Sequence, residues 1–398
     1  MGWNTWNTFQ CNYDESTLKQ MAHALISSGM AKAGYTFLNI DDWHATLSLS
    51  TRERDMQGNL QPDPTKFPNG MKAFVDYIHS LGLKVGIYSD VGTYTCQGFP
   101  GSNGYYQQDA NTFASWGIDY LKFDTCYLTN EIENQPWLFY GQMSQALNKT
   151  GRPIVFSICN WGRKDSWNWA PKIGNLWRTT YDIFPWWGRV LEILDAQKPL
   201  YPYAAPGAFN DPDMLEVGVN GTFFNLPLAP AAWLDDTQAR SHFSLWAIMA
   251  APLITGNDLR TMTPAIQAIL TNSEVIAVNQ DPLGLQGRVV ASVQSGLDLD
   301  GACLWLKCSW TEVWAKNMTN GRIAVVLFNR AGVLYDFNQW GNEDVTVTWT
   351  QLGLSSSSAT YRATDLWSGQ ALGQFTGQFT AKNLAPHAVQ FIVLDPRV

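Results

Sequence analysis

The sequence predicts an α/β protein, a (β/α)8 barrel followed by an antiparallel β-sandwich domain, and three observations carry that reading. Through the first 280 or so residues, short β-like runs alternate with segments of helical period, and about eight such units in that length fit a closed barrel. After Gln286 the pattern changes to period two, with Gly, Asn and Ser between the runs. The 398 residues are 45% hydrophobic and only 15% charged, the composition of a chain that buries a large core.

The elements follow in order. β-like runs lie at Tyr35–Ile40, Leu83–Ser89, Tyr120–Phe123, Ile154–Cys159, Leu176–Thr180 and Leu253–Thr255, with an opening strand in Met1–Asn4 and another near Ala208–Phe209. Helical patterns fall between them at Glu15–Ser28, Met71–Leu81, Asn111–Trp116, Gln135–Asn148, Gly188–Gln197 and Asp236–Ala250. A doubly wound open sheet is the rival architecture, but its Gly-rich phosphate loop has no counterpart here. The barrel is therefore assigned to residues 1–285 and the β domain to 286–398. In the latter, Arg288–Val293, Cys303–Lys307, Arg322–Phe328, Asp344–Thr350 and Val389–Leu394 read as strands. Ala45 to Gly70, a polar connection with Pro62, Pro64 and Pro68 after the second barrel strand, is expected at the barrel's functional mouth.

Composition narrows the function. Lys and Arg number 26 against 34 Asp and Glu, a formal net charge of −8, so no cationic field exists to collect nucleic acid or anionic membrane. The longest apolar stretch, Leu245 to Ile254, is broken by Pro252 and falls short of the ~20 residues of a membrane span. Nineteen Trp, 19 Phe and 15 Tyr supply flat apolar faces with polar rims on which sugar rings stack. Six Cys beside N-x-Thr acceptors at Asn148, Asn220 and Asn317 suit a secretory route and an extracellular protein. The opening Met1-Gly-Trp-Asn-Thr-Trp has neither a basic nor an apolar leader region, so a signal peptide is expected to have been removed already.

Acidic residues track the strand ends: Asp41 and Asp42, Asp90, Asp124, Asp182, and Asp211 with Asp213. A barrel points all these ends to one face, so the carboxylates are expected to converge rather than serve singly as turn or N-cap residues. Lys122 and Asp124, two apart on a strand, share a face, and the ammonium is expected to hold Asp124 ionised. Arg178 and Asp182 share a face in the same way if their strand stays regular. One carboxylate kept charged and a second able to carry a proton is what glycoside hydrolysis requires. The five His show no metal-ligand spacing, no GxSxG elbow occurs, and neither metal nor organic cofactor is expected. Asp211-Pro-Asp213 could be taken for a glycosyltransferase metal clamp, but its central proline and the missing nucleotide fold argue against that.

The sequence also resembles a known family, the secreted α-galactosidases of glycoside hydrolase family 27. The resemblance rests on Met1-Gly-Trp-Asn-Thr-Trp-Asn7, Asn39-Ile-Asp-Asp42, Gly82-Leu-Lys-Val-Gly-Ile-Tyr-Ser-Asp90, Cys96-Gln-Gly-Phe-Pro-Gly101, Trp116-Gly-Ile-Asp-Tyr-Leu-Lys-Phe-Asp124, Asn210-Asp-Pro-Asp-Met-Leu-Glu216 and Leu245-Trp-Ala-Ile-Met-Ala-Ala-Pro252, in family order along the barrel. It implies a retaining enzyme acting on galactose-containing oligosaccharides, with Asp124 as nucleophile and Asp182 as acid/base. Asp41 and Asp42 would accept from O4 and O6 of galactose, Lys122 would donate to O3 and O4, and Arg178 would bind O2. Trp6, Tyr88, Asp213 and Met214 would complete the pocket, to which Cys96, Cys159 and Asn160 also belong. The resemblance further implies a Cys96–Cys126 disulfide, closing a ~30-residue loop for roughly 3–4 kcal/mol.

Two departures stand out. Trp43-His44 replaces the family's Cys-Trp, leaving Cys11 without the partner it has elsewhere, and Asn160 replaces a Glu that contacts O2. An α-N-acetylgalactosaminidase or a β-L-arabinopyranosidase is therefore the enzyme alternative. A silent sugar-binding protein is the other, though it has no need of Lys122 and Asp124 beside Asp182. Cys303 and Cys308, five apart, can pair in the β domain, which leaves Cys11 and Cys159 as free thiols. Oligomeric state is not written in the sequence, and a homo-oligomer is compatible with it.

Overall fold

In a computed structural model of the chain, which describes residues 1–42, 54–220, 222–223, 226–227, 233–296, 308–331, 340–354 and 358–397, eight parallel strands curl into a barrel. In chain order these are β1 (Gly2–Asn4), β2 (Phe37–Asn39), β3 (Lys84–Asp90), β4 (Tyr120–Asp124), β5 (Val155–Ile158), β6 (Leu176–Arg178) and β7 (Phe209–Asp211). A two-residue ladder, β8 (Thr222–Phe223) with β9 (Leu226–Pro227), precedes β10 (Ile254–Thr255), which pairs with β1. The ring closes just past β7, where the Leu215 amide donates to the Ile254 carbonyl at 2.7 Å.

Helices Glu15–Ser27, Gly70–Ser80, Tyr106–Trp116, Pro136–Lys149, Trp187–Gln197 and Asp236–Ile248 follow β1, β2, β3, β4, β6 and β7 and wrap the barrel. The third begins at Tyr106, earlier than its apolar pattern indicated. Only the 3-10 turns Ser166–Asn168 and Ala170–Lys172 separate β5 from β6. Pleat alternation decides which residues reach the barrel axis. In β4, Leu121 and Phe123 pack outward, Phe123 against Tyr106 and Tyr140, and Lys122 and Asp124 therefore face inward. Register places Asp90 beside Asp124 and Tyr88 beside Lys122.

The second domain is a six-stranded antiparallel sheet of β11 (Arg288–Ser295), β12 (Ser309–Asn317), β13 (Ile323–Asn329), β15 (Thr360–Asp365), β16 (Ala371–Thr376) and β18 (Val389–Asp395), faced by the pair β14 (Glu343–Thr348) and β17 (Gln378–Leu384). Ile323, Val325 and Leu327 of β13 pack toward β14 and β17 with Val345, Val347 and Phe379, while Ala324, Val326 and Phe328 join the barrel's core. All seven residues of β13 are consequently buried. Helix Asp236–Ile248 lies between barrel and sheet and is buried nearly all round from Ala239 onward. Strands β12, β15, β16 and β17 escaped the period-two reading. In β16 both faces stay largely open, and in β12 both are largely covered, so neither shows a hydrophobic alternation. The strand expected at Cys303–Lys307 lies outside the described residues, as do Trp43, His44 and residues 45–53 of the long connection.

A buried charge network ties the domains together. Glu312, fully buried on β12, accepts from Lys198 at 2.5 Å and from Arg330 at 3.4 Å, and Arg330 reaches Asp195 of the barrel at 2.5 Å. The Trp314 indole donates to the second Glu312 oxygen at 3.1 Å. Removing one partner of such a network strands the others in low dielectric. Glu312→Ala should therefore destabilise the protein by about 3–5 kcal/mol, seen as a lowered urea midpoint, and an unchanged midpoint would show the network to be inconsequential.

Candidate active site

The carboxyl ends of β1 to β7 deliver the chemistry to one mouth. Asp41 sits just past β2, 2% exposed, and one of its oxygens accepts both the Asn4 amide and the Lys122 ammonium at 2.8 Å. Its other oxygen takes the Asp42 amide at 3.1 Å, and Asp42 accepts the Gln97 amide at 2.9 Å. Tyr13 donates to both their carbonyls. Asp124 is 6% exposed and accepts the Tyr88 hydroxyl at 2.8 Å and the Thr125 amide at 3.0 Å. Arg178, 3% exposed, donates to Asp182 at 3.0 Å and lies 2.9 Å from Asp213. A small cavity between the strand ends is lined by Asn4, Lys122, Cys159, Arg178, Asp213 and Met214. A larger cavity of about 340 Å³ opens at the opposite end of the barrel among Phe37, Val155, Phe209 and Leu253, away from these carboxylates.

Among the described residues none of these aspartates caps an α-helix, a task that falls to Asp14, Thr129, Asp235, Thr263 and Asn272. Asp90 is different. Its carboxylate is engaged by the Gly92 amide at 2.6 Å and the Cys126 amide at 2.8 Å, it is fully buried, and it serves as an internal brace. That brace holds the loops after β3 and β4 so close that a Cβ on Gly92 would lie 2.1 Å from the Cys126 carbonyl. The Cys96–Cys126 disulfide closes the same corner. Asp90, Cys96, Asp124 and Cys126 cluster like metal ligands, but disulfide sulfurs offer no thiolate, so the group is not a metal centre. Cys11 and Cys159 are free, Cys308 is disulfide-bonded, and Cys303 lies outside the described residues.

Three expectations need correction. Lys122 shares the face of Asp124, yet its direct partner is Asp41, because β2 brings that carboxylate closer. Burial raises the Asp124 carboxyl above its ordinary range; Lys122 opposes this and Asp182 adds to it, so the ammonium alone does not hold Asp124 ionised. For Asp182 the effect of burial is outweighed by Arg178 and Lys122, which hold its carboxyl below the ordinary value. The side chain itself is 61% exposed at the mouth. The Arg178–Asp182 contact also arises differently, since β6 stops at Arg178 and a turn rather than the pleat returns Asp182 to it.

Asn160 is buried, with its amide nitrogen on the Arg163 carbonyl at 2.8 Å and its Oδ1 unpartnered among the described residues. Asp213 adopts a left-handed backbone (φ 82°), a strain offset by the Ile183 and Met214 amides, each donating to its carboxylate at 2.8 Å. Trp6 is half-buried at the rim, its amide on Asn4 Oδ1. Sequence reasoning missed Asn4 and Tyr13. Asn4 ends a strand as the aspartates do, which was the available signal; Tyr13 acts from a connection that pattern does not reveal.

Known proteins resemble this chain in sequence and fold. A family model described as alpha galactosidase A matches residues 1–281, and one for the alpha galactosidase C-terminal beta sandwich domain matches residues 309–394. A probable alpha-galactosidase of Dictyostelium discoideum is 44% identical over 397 residues, covering 100% of this chain and 92% of that protein. Alpha-galactosidase I from Mortierella vinacea superposes with a TM-score of 0.86 at 34% identity, over 99% of this chain and 96% of that one. An alpha-galactosidase from Saccharomyces cerevisiae solved with raffinose gives a TM-score of 0.84 at 27% identity, over 99% and 96%.

Tyr88 favours the ionised form of Asp124 by donating to it. Tyr88→Phe should move the Asp124 titration upward, as followed by carboxyl carbon NMR, and a midpoint that stays in place would discount the bond.

Proposed function

The chain belongs to the α-galactosidase family, and we propose that it removes terminal α-linked galactose from galactosides by a retaining double displacement, with Asp124 as nucleophile and Asp182 as acid/base. The observation that carries this reading is the pairing of one buried carboxylate, Asp124 on β4, with one open to the mouth, Asp182 after β6, close enough to act on each other's charge, with Lys122 acting on both and Arg178 on Asp182 by contact.

In the first step the Asp124 carboxylate attacks C1 and the bond from C1 to the glycosidic oxygen breaks, while Asp182 passes its proton to the departing oxygen. In the second, Asp182 takes a proton from water as the water oxygen attacks C1 and releases Asp124. The chain's own groups set the proton preference the other way round, Asp124 raised and Asp182 lowered. Arg178 supplies the correction. It is shared between Asp182 and Asp213, and a sugar hydroxyl that draws one of its N–H groups weakens its hold on Asp182 and lets that carboxyl carry the proton. In this reading Asp41 and Asp42, both buried and engaged by neighbouring amides, would accept hydrogen bonds from an axial O4 and from O6.

We propose an extracellular protein, on the support of the Cys96–Cys126 bridge, the bonded Cys308 and the exposure of all three acceptors Asn148, Asn220 and Asn317.

Asp124→Asn should lower kcat by more than about 10²-fold, over roughly 2.7 kcal/mol, with the fold and galactose binding retained. NMR of the first product from an aryl α-galactoside should show the α-anomer, and initial β-galactose would overturn the retaining assignment. α-Glucosides should be at least about 10²-fold poorer in kcat/KM, because they leave a buried carboxylate without its hydrogen bond. A higher kcat/KM for α-N-acetylgalactosaminide or β-L-arabinopyranoside would replace the substrate but leave the mechanism standing.

A further inference from the structure

One side chain beside the acid/base is built outward rather than inward. Tyr181 is 58% exposed, although its backbone carbonyl is held by a buried arginine. Arg189, itself buried, donates to the Tyr181 carbonyl at 2.6 Å and to the Asp182 carbonyl at 2.9 Å, so one guanidinium fixes the platform and the acid together. Behind Tyr181 stands Trp161, with ring centroids 5.5 Å apart, and the Arg163 guanidinium lies over the indole at 4.8 Å.

The loop that carries Trp161 is strained. Trp161, Lys164 and Asp165 all have positive φ (58°, 54° and 50°), a conformation non-glycine residues seldom adopt, three times in five residues. Gly162 lies so close to the turn before Asp182 that a Cβ would sit 2.3 Å from the Thr179 carbonyl. The loop after β5 is thus pressed against the turn after β6, and the outcome is an exposed Tyr181 ring in tilted contact with Trp161 (interplanar angle 40°), which in turn carries the Arg163 guanidinium. A single exposed aromatic is ordinary, but a backed and braced one at a strained site calls for a ligand.

We propose that Tyr181, backed by Trp161 and Arg163, is the platform on which the leaving sugar of an oligosaccharide stacks while Asp182 protonates its oxygen. The inference rests on the galactosidase reading above, which defines the leaving-group side as the side of Asp182. A sugar ring presents one apolar C–H face that suits an aromatic surface, whereas a leaving group without a ring gains nothing from it.

The test compares raffinose with α-galactosyl fluoride, whose leaving atom cannot stack. Tyr181→Ala should lower kcat/KM for raffinose by about tenfold, mostly through KM, and change that for the fluoride by less than about twofold. Tyr181→Phe keeps the ring and should stay within about twofold on both. Equal losses on both substrates would assign Tyr181 a structural role, and an undiminished rate on raffinose would remove the platform. Turnover of neither substrate by the unsubstituted enzyme would overturn the galactosidase reading, and the platform with it.

Discussion

The ion pair between Lys122 and Asp41, 2.8 Å apart at the centre of the barrel mouth, is the interaction on which the pocket depends. Four carboxylates, Asp41, Asp42, Asp124 and Asp213, are each at least nine-tenths buried there. Burial in low dielectric penalises a carboxylate's charge, and it raises the Asp124 carboxyl above its ordinary range. Among the described residues, Lys122 and Arg178 are the cations that line the cavity between the strand ends. Lys122 takes Asp41 by contact and acts on Asp124 through space; Arg178 divides itself between Asp182 and Asp213. The division leaves Asp124 incompletely compensated, so its protonation state answers to small changes nearby, as a catalytic carboxylate's should.

The loops carry the cost of this arrangement in backbone conformation. Asp213, Tyr127, Trp161, Lys164 and Asp165 all lie at positive φ, and all follow the carboxyl ends of β4, β5 or β7. The opposing braces are local: Asp90 with the disulfide on one side of the mouth, and the Asp213 carboxylate with the Ile183 and Met214 amides on the other. The β domain contributes from a distance. It covers helix Asp236–Ile248, whose Trp246 indole donates to the Asp213 carbonyl at 2.8 Å, so the domain interface and the strained aspartate share one helix.

Much of this was legible because a parallel barrel converts order along the chain into place around a ring. Tyr120-Leu-Lys-Phe-Asp124 announces a strand with two outward apolar residues and two inward charged ones, and the structure agrees. Strand edges were less legible. β6 ends at Arg178 rather than Thr180, and β13, read as alternating, is buried on both faces because it lies between two layers. β16, open on both faces, leaves no hydrophobic signature at all.

The sequence by itself determined the fold class, the set of carboxylates at the strand ends and the placement of Asp124, Lys122, Arg178 and Asp182 at the same end of the barrel, since these follow from periodicity and from the common direction of parallel strands. Only the tertiary structure decided who pairs with whom. Lys122 meets Asp41 because register with a neighbouring strand, not spacing along its own, sets the nearest partner. Asp90 turned out to brace two amides, and Asn160 to bond a backbone carbonyl, because loop paths settle where short polar side chains find their hydrogen bonds. The proton preference of the Asp124 and Asp182 pair depends on depth and on Arg178 lying within 3.0 Å, and distances of that kind are fixed only when the chain has closed on itself.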